Sequence, residues 1–259
     1  MPVAADLYYY AYQGEENERP PVVLIHGAGG NYLYWPPEVR RLPGFRVYAL
    51  DLPGHGMSGG RGQQSIHQYS LQIIEWLEAM GMNRAAFVGH SMGSAIALDL
   101  GIHHPEHVAG LGLIGGGPRL QVHPEILANS ANPTTFHNAV DLIVNGSFSP
   151  SASPRLVKLA TGRMAEMRPS VLNGDLLACD AFDVTADLHR IQQPALVLCG
   201  ADDRMTPVRF SQFLASAIQR AQLKVIPEAG HMVQLEKPAE VSAALVEFLD
   251  GVPYQAGES

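Results

Sequence analysis

The sequence predicts an α/β fold, a mostly parallel sheet with helices on both faces. Strand-like apolar runs recur at Leu7–Gln13, Val22–His26, Arg46–Leu50, Ala85–Val88, Val108–Ile114, Ala195–Leu198 and Leu223–Ile226, and helical stretches separate most of them. Parallel strands joined by crossover helices give this alternation. Between Gly117 and about Ile191 the alternation breaks down, so the core is split by an insert.

Along the chain, Tyr8, Tyr9 and Tyr10 mark a first strand. Val22-Val23-Leu24-Ile25 reads as a core strand running into His26-Gly27-Ala28-Gly29-Gly30, a loop with no bulky residue. The helix after the third strand shows its ends. Ser65 precedes Ile66 with Gln68 three residues on, a capping-box pattern, and Ile66, Ile73, Leu77 and Met80 line one face before Gly81 stops it. In the insert no strong strand appears, and short helical pieces are punctuated by Pro124, Pro133, Pro150, Pro154 and Pro169. The last helix starts at Pro238 and turns Val241, Leu245 and Phe248 inward.

Composition restricts the function classes. A chain of 259 residues that is 46% hydrophobic is globular and long enough for one large domain. No apolar run approaches the roughly twenty residues that span a bilayer. Met1 to Gln13 lacks the basic start and apolar core of a signal peptide. Cys199 falls in a core strand, so it and Cys179 are expected as free thiols in a reducing cytoplasm. A net charge of −8 without a basic cluster argues against nucleic acid and anionic membranes as partners.

The chemistry concentrates in three segments. Gly89-His90-Ser91-Met92-Gly93 sits between the strand-like Ala85–Val88 and the helix-like Ser94–Leu98. A serine at such a corner needs small neighbours because the turn is strained, and the corner lifts its hydroxyl out of the sheet. The second segment, Ala201-Asp202-Asp203-Arg204-Met205-Thr206-Pro207, follows a buried strand, and the third, Glu228-Ala229-Gly230-His231-Met232, follows another. Serine, acid and histidine in this order, each just past a strand's carboxyl end, fit nucleophilic catalysis. Neutral imidazole takes the serine proton, and a carboxylate fixes the tautomer and stabilises the imidazolium. Ser91 is therefore the candidate nucleophile, His231 the base and then acid, and Asp203 the orienter. The backbone amides of Ala28 and Met92 are the candidate oxyanion hole, and His26 is expected as a hydrogen-bonded loop residue.

Three other patterns carry less. Gly54-His55-Gly56-Met57-Ser58-Gly59 fits a dinucleotide-binding glycine pattern, but Gly60-Arg61-Gly62 continues the loop where a helix should begin. His103-His104-Pro105-Glu106-His107 lacks a helix to align metal ligands and a supporting cysteine or acid cluster. Gly115-Gly116-Gly117 lacks the lysine and hydroxyl of a phosphate loop. No cofactor or metal is expected.

With these residues in place, the chain resembles the α/β-hydrolase superfamily over about Leu7 to Leu249. The resemblance rests on His26-Gly27-Ala28-Gly29, on Asp51-Leu52-Pro53-Gly54-His55-Gly56-Met57-Ser58, on the elbow from Gly89 to Gly93, and on the acid and histidine loops. Ser94 stands where many relatives carry a second glycine. The family's acid-loop spacing, from Gly200 to Pro207, selects Asp203 over Asp202. The resemblance implies an eight-stranded type of sheet, with a core of residues 1–117 and 192–259. A small helical cap would occupy 118–191, and Leu120, Phe136, Leu142, Phe148, Met164, Met167 and Phe182 are where its pocket lining is sought.

The function expected is a cofactor-free carboxylesterase acting on a small-molecule ester through an acyl-enzyme. Serine at the elbow argues against the aspartate chemistry of haloalkane dehalogenases and epoxide hydrolases. Lactonase, monoacylglycerol lipase, carbon–carbon-bond hydrolase and perhydrolase share the triad and stay open. So does a non-enzymatic ligand-sensing or partner-binding role.

Overall fold

Val22 and Leu24 belong to one hydrophobic layer, and Val23 and Ile25 to another. All four are fully buried. Side chains alternate across a strand, so burial on both faces demands helices on both sides. The computed structural model, which describes residues 2–14 and 19–254, supplies them. The ends of the expected core, Met1 and residues 255–259, lie outside the described residues, as do 15–18.

Among the described residues, eight strands form one sheet: β1 (Val3–Ala4), β2 (Leu7–Tyr12), β3 (Val22–Ile25), β4 (Val47–Leu50), β5 (Ala85–His90), β6 (Val108–Ile114), β7 (Ala195–Gly200) and β8 (Ala221–Ile226). Their order is β1-β2-β4-β3-β5-β6-β7-β8, antiparallel at β1–β2 and β2–β4 and parallel everywhere else. The helices are α1 (Pro37–Arg40), α2 (Ile66–Ala79), α3 (Met92–His103), α4 (Pro124–Ala131), α5 (Phe136–Ser147), α6 (Pro154–Ala165), α7 (Pro169–Asp180), α8 (Val208–Ala217), α9 (Val233–Glu236) and α10 (Pro238–Asp250). One face of the sheet packs on α2, α3 and α8, through Ile73, Leu77, Ile96 and Leu214. The other packs on α1 and α10, through Val39, Val241, Leu245 and Phe248.

The expected strands all form, with ends shifted by up to two residues. β1 was not anticipated, because a two-residue edge ladder is too short for any period. β8 is an edge strand with Leu223 and Val225 exposed, closing the sheet with Lys224 between them. Ser65 sits at the start of α2, but its side chain makes no capping bond. Ser65 is only half-buried and Gln68 exposed, so the start of α2 lies open to solvent.

Four helices, α4 to α7, occupy the stretch between β6 and β7. Pro124, Pro154 and Pro169 are the first residues of α4, α6 and α7, so these prolines begin helices. Val184 N–H donates to Pro118 O at 2.9 Å, and Arg119 bridges Asp183, which closes the neck of the insert. Its own core of Phe136, Val140, Val144, Met164 and Leu172 packs down onto Tyr34 and Met232 of the sheet-bearing part.

Candidate active site

Ser91 lies between β5 and α3 with φ 55° and ψ −115°. A left-handed φ at a non-glycine residue stores about 1–3 kcal/mol of strain, held only where the surroundings enforce it. They do so here. Ser91 N–H is bonded to Ile114 O of β6 at 2.9 Å. A Cβ at Gly89 would collide with the Gly93 carbonyl, and one at Gly93 with the Ile25 carbonyl. The two glycines let helix and strand close on each other, and the serine is pushed outward, half-exposed at the carboxyl end of the sheet.

β7 and β8 deliver the acid and the histidine to the same edge. His231 Nδ1 lies 2.9 Å from Asp203 Oδ2, and both residues are buried. Asp203 is held from several sides. Its Oδ1 accepts the amides of Met205 at 2.9 Å and Thr206 at 2.8 Å, and its Oδ2 accepts the Thr206 hydroxyl at 2.8 Å. Burial alone would raise this carboxyl; the His231 ring and the hydrogen bonds from His231 and Thr206 outweigh it and hold the group below the usual carboxylate range. An ionised acceptor at Nδ1 keeps that nitrogen protonated and leaves Nε2 as the basic one. Asp202, next door, is exposed, and its amide bonds to Ala229 O at 2.9 Å.

The glycine loop after β3 forms a third wall. His26 donates Nδ1–H to Gly27 O at 2.8 Å while its Nε2 accepts the Leu52 amide at 3.0 Å. Burial, with His55 as a second cause, holds the ring well below the ordinary imidazole range, so it is a neutral brace. Gly27 O also accepts Gly30 N–H at 3.0 Å. Gly27 and Ala28 reach the cavity beside Ser91, and Met92 is the first residue of α3, where amides lack an intrahelical partner.

Ser91, His231, Thr206, Gly27 and Ala28 line one cavity of about 340 Å³. Its opposite wall comes from the insert: Leu120, Val122, Ile126, Ile143, Met164 and Leu176. Of the seven lining residues expected from the sequence, Leu120 and Met164 reach it. Phe136 and Phe148 fill the insert's core, Met167 packs against that core, Phe182 packs under the sheet, and Leu142 faces solvent. Cys179 also borders the cavity as a free thiol, but burial pushes its pKa far up and leaves it without thiolate character. Arg204 and Arg209 stand at the rim.

Residues 20–238 match the sequence profile of a family described as alpha/beta hydrolase fold. The chain belongs to the α/β-hydrolase family. It is 28% identical over 257 residues to a provisionally named carbamate hydrolase, RutD, from Caulobacter sp. strain K31, covering 95% of this chain and 96% of the relative. It is 26% identical over 247 residues to a pimeloyl-[acyl-carrier protein] methyl ester esterase from Vibrio vulnificus strain YJ016, covering 90% and 95%. Among solved structures, a thermophilic esterase is 33% identical with a TM-score of 0.81, covering 95% of this chain and 96% of that one.

Within this α/β-hydrolase the other sequence patterns are structural. In the turn after β4, Asp51 accepts the amides of Tyr32 at 2.7 Å and Met57 at 2.8 Å, and Gly54 N–H meets Gly59 O at 2.6 Å, so the glycine run closes on itself. The histidine cluster needs one correction. No supporting acid cluster was expected beside it, yet Asp99, one turn back on α3, accepts His67 Nδ1–H from α2 at 3.0 Å on Oδ2, and His103 Nδ1 reaches the Asp99 main-chain carbonyl at 3.2 Å with the carboxylate Oδ1 equally near. This trio has the donor set of a cation site, but His67 Nδ1 is already bonded to the Asp99 carboxylate and His103 Nδ1 to the Asp99 main-chain carbonyl. Thr206, which secures Asp203, went unremarked although it lies three residues past the acid, where a side chain can close an Asx-type turn. Asp175 and Glu236 were missed for a different reason. Glu236 accepts Gly230 N–H at 2.9 Å and Ser149 N–H at 3.0 Å, binding the histidine loop to the insert, and no local pattern announces such a pairing.

Proposed function

We propose that the protein is a cofactor-free serine hydrolase of carboxylic esters, with residues 118–191 as a cap over a core of 1–117 and 192–259. The observation that carries this reading is the His231 Nδ1–Asp203 Oδ2 contact of 2.9 Å in the same cavity as the strained Ser91.

Ser91 Oγ attacks the ester carbonyl carbon as His231 Nε2 takes its proton, forming the Oγ–C bond and an oxyanion held by the amides of Ala28 and Met92. The C–O bond to the alcohol then breaks, and His231 gives its proton to the leaving alkoxide. Water, deprotonated by the same imidazole, cleaves the acyl-enzyme and restores Ser91. Asp203 stabilises the imidazolium throughout without taking the proton.

The esterase names of two relatives favour esters, and the carbamate hydrolase name points to attack on the same kind of carbonyl carbon. A cavity of about 340 Å³ with an aliphatic far wall suits a short or medium apolar acyl group. Two buried free thiols suit a reducing cytoplasm. The test is turnover of nitrophenyl esters from acetate to decanoate, beside a lactone and a carbamate, by wild type and Ser91→Ala. Esters turned over best, with loss in the variant, are expected. A lactone or carbamate preferred by a wide margin replaces the ester class. A wild type inert toward all three that still binds them makes the protein a ligand sensor.

A further inference from the structure

We propose that Asp175, on α7 of the insert, is a positioning residue that steadies the Ala28 amide by anchoring the peptide unit that follows it; the inference rests on the proposed oxyanion hole. Asp175 is completely buried, and its partners all come from outside the insert. Oδ2 accepts Gly29 N–H at 2.9 Å and His55 Nε2–H at 2.7 Å, and Oδ1 accepts the Tyr69 hydroxyl at 2.6 Å. The glycine loop, the turn after β4 and α2 thus converge on one carboxylate.

His55 makes this an ion pair. Its Nε2 faces Asp175 and its Nδ1 lies 3.0 Å from Pro53 O, so both nitrogens meet acceptors and both must carry hydrogen. Burial opposes the charged ring, but the Asp175 carboxylate, by charge and by hydrogen bond, overcomes it and raises the His55 pKa. An apolar side chain would dock α7 without the desolvation cost of a buried pair. What the carboxylate adds is direction.

Peptide planarity shows where that direction matters. The Gly27 carbonyl and the Ala28 N–H share one planar unit, and the Ala28 carbonyl and the Gly29 N–H share the next. The first unit is fixed by His26 and Gly30 at Gly27 O. Asp175 fixes the second at Gly29 N–H. Ala28 is therefore held between two anchored planes. Leu172, one turn before Asp175, closes the same side: a Cβ on Gly29 would stand 2.9 Å from its Cδ1, and Gly29 has a φ of 64°. α7 thus supplies one side of this loop.

The experiment compares Asp175→Asn with wild type and with Val144→Ala, which loses packing inside the insert and lies off the cavity. Ester kinetics, binding of an alkyl boronic acid and hydrogen exchange at residues 27–30 are measured on each. Asp175→Asn is expected to lose roughly ten- to a hundredfold in kcat, part of what a deleted oxyanion donor costs. KM should stay within about threefold, since ground-state binding is untouched. Boronate affinity should fall in step with kcat, and the glycine-loop amides should exchange faster. Unchanged kcat, or a loss no greater than in Val144→Ala at matched thermal stability, overturns the proposal. If Asp175→Asn does not fold, Tyr69→Phe removes one donor and must show the same kcat-over-KM split in smaller measure; wild-type kcat there overturns it equally. A wild type inert toward esters would sink the esterase reading instead, while loop exchange, which needs no substrate, still decides for or against Asp175.

Discussion

His90 donates its Nε2–H to the backbone carbonyl of His231 at 2.9 Å, and the two rings stand 4.8 Å apart. The residue beside the proposed nucleophile therefore holds the proposed base by its main chain. Its own Nδ1 is buried without a partner. Burial first, and the neighbouring His231 second, bring its pKa down to about 3, so it stays neutral wherever the enzyme works.

That arrangement predicts whose titration governs turnover. A base that acts only as neutral imidazole makes turnover fall on acidification, giving the pH profile an acid limb. His231→Ala should abolish activity and the limb together. His90→Gln should keep the limb while lowering the rate through a looser His231 loop. A limb that survives in His231→Ala would reassign the base to another group.

Stability should fall on acidification for a related reason. A histidine held neutral by burial takes its proton only on unfolding, so below about pH 6.5 the unfolded chain binds more protons and the folded state loses ground. For His90, with a folded pKa of about 3, the loss at pH 5 is about 2 kcal/mol. His26, also depressed, acts in the same direction. His55 acts oppositely: its raised pKa contributes fully below about 6.5 and is lost as pH climbs through the folded value. Urea midpoints at pH 5, 7 and 9 should show a fall on the acid side that His90→Gln reduces. The alkaline fall should disappear in Asp175→Asn, where the His55 partner is gone. Flat midpoints across the range would contradict both assignments.

The nucleophile is tested by stoichiometry. An organophosphonate should label the protein once, and peptide mapping should place the label on Ser91. Ser91→Ala should lose around a thousandfold or more in turnover, as when other hydrolases lose their serine. Near-normal activity in the variant, or single labelling elsewhere, would remove Ser91 from its role.

What the sequence made legible and what it hid differ in range. The sheet could be read because strands buried on both faces leave continuous apolar runs, as in Val22–Ile25 and Ala195–Leu198. Ser91, Asp203 and His231, the residues proposed for catalysis, could be brought together because each follows the carboxyl end of a strand in the order serine, acid, histidine. Asp175 could not: its partners Gly29, His55 and Tyr69 stand 146, 120 and 106 residues away, and no local period signals a buried carboxylate inside a helix. The insert was legible only as a break in alternation. Its lining was not, because the choice between cavity and insert core at Phe136 or Met164 is made by helix packing.

The neighbouring acids offer the sharpest discrimination. Asp203 carries the His231 contact and three further hydrogen bonds, whereas Asp202 points to solvent. Asp203→Asn keeps the shape but can present an amide to Nδ1, which favours the tautomer with the proton on Nε2 and leaves Ser91 without a base. Losses near ten-thousandfold are documented for that change in another serine hydrolase. Asp202→Asn should cost at most about tenfold, since it touches neither the imidazole nor the cavity. Thr206→Val should fall between them. It removes the hydroxyl that donates to Asp203 Oδ2 at 2.8 Å and lies 3.2 Å from His231 Nδ1, but keeps the carboxylate and the Thr206 backbone donor. Turnover of the three variants on one ester gives the order, and a larger loss at Asp202 than at Asp203 would name the other carboxylate as the orienter.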